Sequence, residues 1–458
     1  MKVLASLLAF ASIATATFQA DGTAFKSPVT VAAGFRARVV FSNLTSPGGI
    51  AFDDGHNLLA VEIGVGVSAY SRNTASTVPG WDRTVVLKNP NVTQGIQVNG
   101  RRLFVSTGQD VLVYAYEPAT KSVVNSVPPY PIIDGLPADG EFASHTILLE
   151  TNATGGVTGM LVGSGPKENI DLAARDPTSG HSQIRRFMFP TIQPDTVFPP
   201  VPLHWADGQV VAYGLRNPAG FAFPTGPTVT PAGRKDLFVA DNAASIEKLP
   251  GFTPQFANGN PADEFNHVIY EMNPISTSPV PISYGYPVCA TLWNPSADPV
   301  GDPQYVGMHR GDQFSLQLTD AIDDSWCQNK TNLNQPPALS FQAHSSPADV
   351  KFFTAPAVSN MASFPSSLSN DAFVSFFGSF DRSPPTGYGV AHIPFPPSSP
   401  SETTLGYRFI VQAELLNTCP GSCITPDGLA FGVDGRLYVS STLSGELFLV
   451  ESSPVVPQ

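Results

Sequence analysis

The side chains of this chain that could do chemistry are charged and polar groups placed where strand-like runs begin or end. Asp381 and Arg382 follow the apolar run at 372–377, and two prolines and a glycine then turn the chain back. Arg216 stands just before another apolar run. Charged groups at such turns lie at the mouth of a β-scaffold, where binding loops collect. Two plainer interpretations stay open: a loop salt bridge for Asp381 and Arg382, and a loop brace for Arg216.

Further polar residues stand at the ends of other apolar runs. They are Asn217, Asp241, Asn242, Asp263, Glu264 and His344. Standard catalytic motifs such as G-x-S-x-G, the P-loop and H-E-x-x-H are absent from the sequence. If the fold arranges these runs around one channel, the polar side chains could converge on a single ligand. A surface acidic pair is the alternative interpretation of Asp263 and Glu264.

The elements that must position these residues form a repeat. A turn followed by an apolar strand occurs six times, at residues 52–62, 98–107, 155–165, 233–242, 369–379 and 432–442. Strand phrases repeated at intervals of tens of residues are typical of β-propeller blades. We therefore predict an all-β, six-bladed β-propeller in one domain at residues 19–458, with an unrelated β-sandwich as the alternative. The long interval between the fourth and fifth copies is predicted to hold loops rather than a further blade.

Composition and termini narrow the class of protein. Hydrophobic residues make up 42% of the 458 residues and charged residues 13%, which is typical of a globular protein. The formal net charge of −13 argues against nucleic acid or an anionic membrane as a partner. Residues 1–16 have the pattern of a secretory signal peptide, so we expect a secreted, extracellular protein. Four sequons are candidate glycosylation sites: Asn43, Asn91, Asn152 and Asn329.

Four cysteines are too few to build a disulfide scaffold, so the core must carry the fold. Cys419 and Cys423 enclose three residues and could close a tight loop. Cys289 and Cys327 would then pair with each other. Their spacings do not resemble a zinc site.

Several motifs resemble the soluble quinoprotein glucose/sorbosone dehydrogenases. They are GLRNPAGFAF, DEFNHV, SYGYPVC, FQAHSSPADVKF, GSFDRSPPTGYGV and CPGSCITPDGLAFGVDGRLYVSST. The segment GSGPKENIDLAARDPTSGHSQIRRF is most similar to the fungal pyranose dehydrogenase branch, and the resemblance runs from about Gly34 to Leu449. It implies a six-bladed propeller with pyrroloquinoline quinone (PQQ) in the channel and a Ca²⁺ ion bridging cofactor and protein. It also implies oxidation of a pyranose or a sorbosone-like sugar, with electrons passing to an external acceptor such as a haem protein or an oxidative enzyme.

The resemblance also implies roles for single residues. The implied cofactor-binding residues are Arg216, Asn217, Arg382, Asn169 and Gln94, the metal ligands are Asp241, Asn242, Asp263 and Glu264, and the histidine that takes the hydroxyl proton is His145 or His344. PQQ is a planar tricarboxylate, so arginine forks suit its charge and shape. Oxygen ligands suit Ca²⁺. His145 beside Ile147 is equally well interpreted as a hydrogen-bonded strand residue.

The sequence departs from the family pattern at cationic positions. Gly48 and Thr425 replace two arginines, and Phe142 falls on the family's third-blade histidine, whereas His145 falls on an arginine. Each lost charge-assisted bond is worth roughly 1.5–3 kcal/mol, so PQQ binding should be weakened. Two other functions therefore stay open. One is a non-catalytic carbohydrate-binding propeller, and the other is a Ca²⁺-dependent lactonase or related hydrolase.

Overall fold

Six sheets arranged around one axis form the body of the described molecule, and a seventh, two-stranded sheet lies outside the ring. The structure is a computed structural model that describes residues 17–75, 77–192, 201–226, 233–272, 281–329, 334–398, 401 and 403–453. The signal peptide predicted at residues 1–16 lies outside the described residues. The prediction of an all-β, six-bladed β-propeller is confirmed, with one sheet for each repeat copy. The domain start at residue 19 stays a prediction.

The first three blades follow one another in the chain. From the axis outward, blade 1 contains β4 (Pro47–Phe52), β5 (Leu58–Glu62), β6 (Gly66–Asn73), β7 (Gly80–Lys88) and β1 (Thr17–Ala20). Blade 2 contains β8 (Val92–Asn99), β9 (Arg102–Thr107), β10 (Val111–Glu117), β12 (Tyr130–Asp134) and β16 (Leu203–His204), with β11 (Ser122–Val123) paired to β10. Blade 3 contains β13 (Ile147–Thr151), β14 (Val157–Ser164), β15 (Gln183–Ile192) and β17 (Gln209–Tyr213).

The other three blades complete the ring. Blade 4 contains β18 (Asn217–Ala222), β19 (Arg234–Asn242), β20 (Asp263–Glu271) and β23 (Leu339–Phe341). Blade 5 contains β24 (Pro347–Phe352), β25 (Ala372–Phe376), β26 (Gly389–Ile393), β27 (Arg408–Ala413) and β2 (Val29–Val31). Blade 6 contains β28 (Pro426–Phe431), β29 (Leu437–Ser441), β30 (Glu446–Ser452) and β3 (Phe35–Phe41).

The ring is closed by a strand from the start of the chain. β3 pairs antiparallel with β30, so an early segment completes the last blade. The inner strand β4 packs on β8 and β28, and β24 packs on β18 and β28. The inner strands therefore surround a common channel.

The polar residues of the predicted site lie at one end of the ring. In each blade the first strand begins at one end of the ring, and the antiparallel second strand ends there. We call this end of the ring the upper face. Arg216 precedes β18, Asn242 ends β19 and Asp263 begins β20. His344 precedes β24, and Asp381 follows β25. Loop ends at the upper face therefore bring together residues that are far apart in the sequence.

The long interval between the fourth and fifth copies contains β20, β23 and β24, and its remaining segments form an insertion on the upper face. Within its described residues it contains helix α1 (Pro254–Gly259), the hairpin β21 (Cys289–Thr291) with β22 (Gln313–Ser315), and helix α2 (Asp324–Gln328). The prediction that it adds no blade is confirmed for these residues. A disulfide joins Cys289 in β21 to Cys327 in α2, and another joins Cys419 to Cys423.

Short 3-10 turns connect several strands. They are Leu172–Arg175, Pro177–Ser179, Trp205–Asp207, Pro303–Tyr305, Ser366–Leu368 and Leu416–Thr418. In the described part of the chain, no helix combines the length and apolar character needed to cross a membrane.

Apolar side chains pack mainly between neighbouring blades. Between blades 4 and 5, for example, Phe238, Phe265, Phe341, Phe352 and Phe376 form one buried cluster. Burying a phenylalanine contributes roughly 1.5–3 kcal/mol. This packing fixes blade positions, and therefore also the loops of the upper face.

Candidate active site

A cavity of about 250 Å³ opens at the upper face, among blades 3, 4 and 5. Its chemically active lining residues are Arg216, Asn242, Asp263, His344 and Asp381, and its aromatic lining residues are Phe142 and Phe380. This volume is near the lower end of ligand-binding pockets, which occupy roughly 300–1,000 Å³. The cavity is therefore the candidate site.

Arg216 is a buried cation in the cavity wall. Its Nε donates to the backbone oxygen of Asn169 (3.3 Å), and its Nη2 donates to the Asn169 side-chain oxygen (3.0 Å). Its guanidinium lies 4.7 Å from the Phe142 ring centroid, a cation–π distance. Burial lowers the pKa of Arg216 from its usual value, but an arginine stays charged. Arg216 thus both braces a loop and places a positive charge at the cavity.

Asn169 positions other residues. Its side-chain oxygen also accepts from the Ser245 backbone N–H (2.9 Å), and its side-chain nitrogen donates to the Ser245 carbonyl (2.7 Å). Asn217 is similarly engaged, since its side-chain nitrogen donates to the Asn242 side chain (2.9 Å). The cofactor-binding roles predicted for Asn169 and Asn217 stay predictions, and the structure gives both residues a bracing role.

Arg382 lies beside the cavity and has an unused donor. Its Nη1 donates to the carbonyl of Ala343 (3.0 Å), next to His344. Its Nε is buried and has no hydrogen-bond acceptor among the described residues. A buried N–H of a cation without an acceptor suits an anionic ligand. The alternative of a loop salt bridge with Asp381 is wrong, because Asp381 contacts His344 instead.

His344 is the histidine of the cavity wall. Its Nε2 lies 2.9 Å from the carbonyl of Ala257 and 3.6 Å from Oε1 of Glu247, and its Nδ1 lies 3.3 Å from Oδ1 of Asp381. Burial alone would lower the pKa of His344, but hydrogen bonds to Asp381 and Ala257 and the two acidic charges raise it to about 9. The hydrogen bond from His344 lowers the pKa of Asp381 to about 2. His344 also has a left-handed backbone, with φ +57°, of the kind that clusters at functional sites.

His145 is placed differently. It is completely buried, with Nδ1 3.0 Å from the carbonyl of Gly163 and Nε2 3.3 Å from that of Gly108. Burial lowers its pKa. Since both ring nitrogens face backbone carbonyls and the ring is excluded from solvent, the catalytic role predicted for His145 does not fit. The alternative interpretation describes it better, since His145 is a hydrogen-bonded structural residue, although it lies two residues before β13 and not within the strand.

The four predicted metal ligands do not form one cluster. Asn242 and Asp263 line the large cavity, whereas Asp241 and Glu264 line a separate cavity of about 20 Å³. Asp263 and Glu264 are neighbours on β20, and successive strand residues point to opposite faces. The four side chains therefore do not converge on one point in this arrangement, and their roles as metal ligands stay predictions. The surface-pair alternative is wrong, because Asp263 and Glu264 are both buried.

The carboxylates are already engaged with protein donors. Asp241 accepts from the backbone N–H groups of Arg216 (3.0 Å) and Asn217 (2.7 Å), which fixes the turn before β18. Asp263 accepts from the N–H of Ala243 (2.9 Å) and of Ser346 (2.7 Å). Burial raises the pKa of both aspartates, and that of Glu264 to about 7. These residues shape the loops of the site.

The blade 1 and blade 6 side of the channel has no arginine at the two substituted positions. A Cβ on Gly48 would lie 3.7 Å from Oδ2 of Asp427 and 3.5 Å from Cδ1 of Ile63. Asp427 accepts instead from the side chains of Gln94 (2.6 Å) and Thr442 (2.9 Å), and its burial raises its pKa to about 7. Gln94 therefore caps a buried acid, and its predicted ligand role stays a prediction.

Sequence reasoning missed three residues of the site. Glu247 and Ser245 come from the insertion, and no motif marks them. Phe380 is 63% exposed and lines the cavity mouth. It stands in GSFDR, so its position in that motif was the available signal. The predicted glycosylation sites Asn43, Asn91 and Asn329 are exposed, Asn152 is half-buried, and all four stay predictions.

Comparisons with known proteins agree on one group. The TrAA12-like family model matches residues 29–453. A pyrroloquinoline quinone-dependent sugar dehydrogenase of Hypocrea jecorina (strain QM6a) is 29% identical over 437 residues, covering 93% of this chain and 90% of that protein. A pyrroloquinoline quinone-dependent pyranose dehydrogenase of Coprinopsis cinerea is 30% identical over 449 residues. That match covers 93% of this chain but 55% of the relative, so the chain spans about half of its length.

Two solved structures extend the comparison. The calcium structure of the Trichoderma reesei carbohydrate-active enzyme of family AA12 has a TM-score of 0.77 at 27% identity, covering 94% of this chain and 98% of that one. The holo form of the pyranose dehydrogenase PQQ domain from Coprinopsis cinerea has a TM-score of 0.74 at 26% identity, covering 93% and 97%. The likeness therefore includes nearly the whole propeller.

Proposed function

Because the chain belongs to the TrAA12-like family, we propose that it is an oxidoreductase that uses PQQ to oxidise a sugar. The observation that supports this best is the cavity that places Arg216 and His344 in one wall, beside the buried Nε of Arg382, for which the described part of the chain offers no acceptor. The substrate would be a pyranose or a sorbosone-like aldose or ketoaldose. The protein would be secreted, and two disulfides suit an oxidising compartment.

The donors around the cavity suit PQQ. Arg216 and Arg382 supply guanidinium groups for its carboxylates. Phe142 and Phe380 supply aromatic faces at the cavity for a planar ligand. Gly48 and Thr425 provide no charge, so Arg216 and Arg382 would hold a larger share of the cofactor's negative charge.

The side chains predicted to bind Ca²⁺ fit less well. Asp241 and Asp263 are engaged with backbone N–H groups, and Glu264 with Thr291 (2.6 Å) and Asn266 (2.9 Å). Bound Ca²⁺ would therefore need backbone oxygens of the cavity wall. We derive no step through a calcium ion.

The residues of the cavity have distinct tasks in the proposed reaction. PQQ, when bound, supplies the acceptor of a hydride from the sugar carbon. His344, the one predicted base that reaches the cavity, takes the proton of the sugar hydroxyl once its own ring is unprotonated. Arg216 and Arg382 orient the ligand. Electrons then leave to an external acceptor, for which a haem protein or an oxidative enzyme is the proposed class.

A reconstitution assay tests this function. The protein is incubated with PQQ, with and without Ca²⁺, and sugar-dependent reduction of an artificial acceptor is measured against a panel of pyranoses and ketoaldoses. We expect reduction that requires both PQQ and a sugar. Bound sugar without PQQ binding or turnover would instead identify a non-catalytic carbohydrate-binding propeller, which the uncharged positions Gly48 and Thr425 favour as the second candidate. Lactone hydrolysis without PQQ would identify the hydrolase.

A further inference from the structure

His344 is surrounded by hydrogen-bond acceptors. Asp381 faces its Nδ1, while Glu247 and the carbonyl of Ala257 face its Nε2. A neutral imidazole has one N–H, whereas the protonated ring has two. Since both nitrogens face acceptors, the geometry favours a ring with a proton on each nitrogen.

Both carboxylates lie beside one serine hydroxyl, which can donate its single proton to only one of them at a time. The hydroxyl of Ser245 lies 2.9 Å from Oδ2 of Asp381 and also bonds Glu247. The side chain of His344 is 7% exposed, whereas those of Glu247 and Asp381 are 30% and 45% exposed. A mostly buried ring is therefore clamped between two acids that contact solvent, and these come from two different loops.

We propose that Asp381 and Glu247 are positioning residues that hold His344 as a doubly protonated imidazolium in the cavity wall and so set the pH above which it takes the sugar's proton. The second half of this proposal rests on the proposed function. The first half concerns the protein without cofactor.

Other charges near the ring are consistent with this assignment. Asp263 adds a further acidic group from β20, and its charge interacts with that of His344. The guanidinium of Arg216 lies in the same cavity wall and opposes the imidazolium charge. Two direct acidic contacts and Asp263 outweigh it, in agreement with a pKa of His344 near 9.

The same three side chains could also hold a divalent cation, since their ligand atoms lie within 4.8 Å of one another. Metal ligation requires an unprotonated ring nitrogen. The carbonyl of Ala257, 2.9 Å from Nε2, accepts a proton held on that nitrogen, so a metal would have to bind at Nδ1, on the side where Asp381 lies. A metal at this cluster is therefore a competing outcome of the test.

The test is a titration of His344 by NMR in the full chain without cofactor, with ¹³C-labelled histidine and the signal assigned by its loss in His344→Gln. We expect the ring to titrate well above 6.5, the ordinary value, near 9. Asp381→Asn should lower the midpoint by roughly one unit or more, since a close opposite charge shifts a pKa by that amount. Glu247→Gln should lower it less, because its oxygen is more distant, at 3.6 Å against 3.3 Å.

The matched control is Asp371→Asn, which breaks another histidine–aspartate pair of blade 5. Asp371 contacts Nε2 of His392 at 2.7 Å, at the opposite end of the ring from the cavity. The variant Asp371→Asn should leave the titration midpoint of His344 unchanged. Asp381→Glu keeps the carboxylate and should keep the midpoint high. Glu247→Gln keeps the test decisive if Asp381→Asn fails to fold.

Three results would overturn the proposal. One is a wild-type midpoint near 6.5, and another is an Asp381→Asn midpoint equal to that of the wild type. The third is Zn²⁺ binding at pH 7 that shifts the His344 signal and is lost in Asp381→Asn, which would make the cluster a metal site. In an active enzyme the acid limb of kcat/KM should follow the same midpoints. If titration agrees but no sugar is oxidised, the positioning role stands and the proposed function fails.

Discussion

Asp381 and Arg382 are adjacent residues with different partners. Asp381 contacts His344, whereas Arg382 donates to the carbonyl of Ala343 and its Nε has no acceptor within the described ranges of the chain. Their adjacency in the sequence suggested a salt bridge, but consecutive residues in a loop separate their side chains. The pairing of Asp381 with His344 depends on the insertion as well, since Glu247 and Ser245 complete it.

Glu264 gives a residue-scale prediction about pH and stability. Its carboxyl group is buried and its pKa is raised to about 7, so the folded state holds this proton more tightly than the unfolded chain. Its contribution is therefore most favourable below about pH 4.5 and is lost as the pH rises through 7. The variant Glu264→Gln cannot ionise at this position, so it should gain free energy of unfolding relative to the wild type. This gain should be larger at pH 7.5 than at pH 4.5, by up to roughly 3 kcal/mol.

Urea unfolding of wild type and variant at both pH values measures this difference. The side-chain oxygen of Asn266 is buried and has no hydrogen-bond partner among the described residues. It can therefore accept a hydrogen bond from the amide group of the new glutamine. Glu271→Gln, at the solvent-contacting end of the same strand, should show no such gain. A difference between wild type and Glu264→Gln that is the same at both pH values would show that folding does not raise the pKa of Glu264.

At the scale of elements, helix α1 tethers the loop that carries Asp381 and Arg382. The side chain of Asn258 donates to the carbonyl of Ser383 (2.8 Å) and accepts from its N–H (2.9 Å). Asn258→Ala removes both bonds, worth about 1 kcal/mol together at this partly exposed position, so PQQ affinity should fall about fivefold with the fold retained.

The control for this tether lies on the same helix. Gln255 donates to the carbonyl of Ala297 (2.7 Å) and does not touch the loop, so Gln255→Ala should leave PQQ affinity unchanged. PQQ titration and thermal unfolding of both variants are the measurements. Equal affinities for the two variants would show that α1 does not position the loop.

Alternation within strands explains why part of the site's geometry was not predicted. The resemblance implied that Asp263 and Glu264 serve one metal site, although neighbouring strand residues face opposite sides. The strand assignment itself followed from the repeat. The contact of Glu247 with His344 could not be predicted, because it depends on how an insertion without a recognisable motif folds back onto blade 5.

At the scale of the whole molecule, the sequence was sufficient to predict the ring of six blades. Six turn-and-strand phrases each became the inner part of one blade, and the polar ends met at the upper face. Repeats indicate architecture because each blade requires its neighbours to bury its faces. The position of charge around the channel was less predictable. Arginine is absent at Gly48 and Thr425, and Asp427 there is capped by Gln94.

A prediction for the whole channel follows from this charge distribution. A Cβ at Gly48 would point toward Asp427 without a backbone clash, so Gly48→Arg should pair with that acid and present a cation to the channel. PQQ affinity should then rise roughly tenfold, the equivalent of one charge-assisted bond. Gly307→Arg adds the same charge on the insertion, where a Cβ meets nothing within 4 Å, and should have no effect.

The most direct test of the account is a calorimetric titration of the protein with PQQ, comparing wild type with Arg382→Ala. Arg234→Ala serves as the control, since Arg234 pairs with Glu271 at the opposite end of blade 4. We predict saturable PQQ binding that Arg382→Ala weakens tenfold or more, because one charge-assisted bond is worth roughly 1.5–3 kcal/mol. Arg234→Ala should bind as the wild type does. Absent PQQ binding, or equal affinity in wild type and Arg382→Ala, would contradict a cofactor site at this cavity.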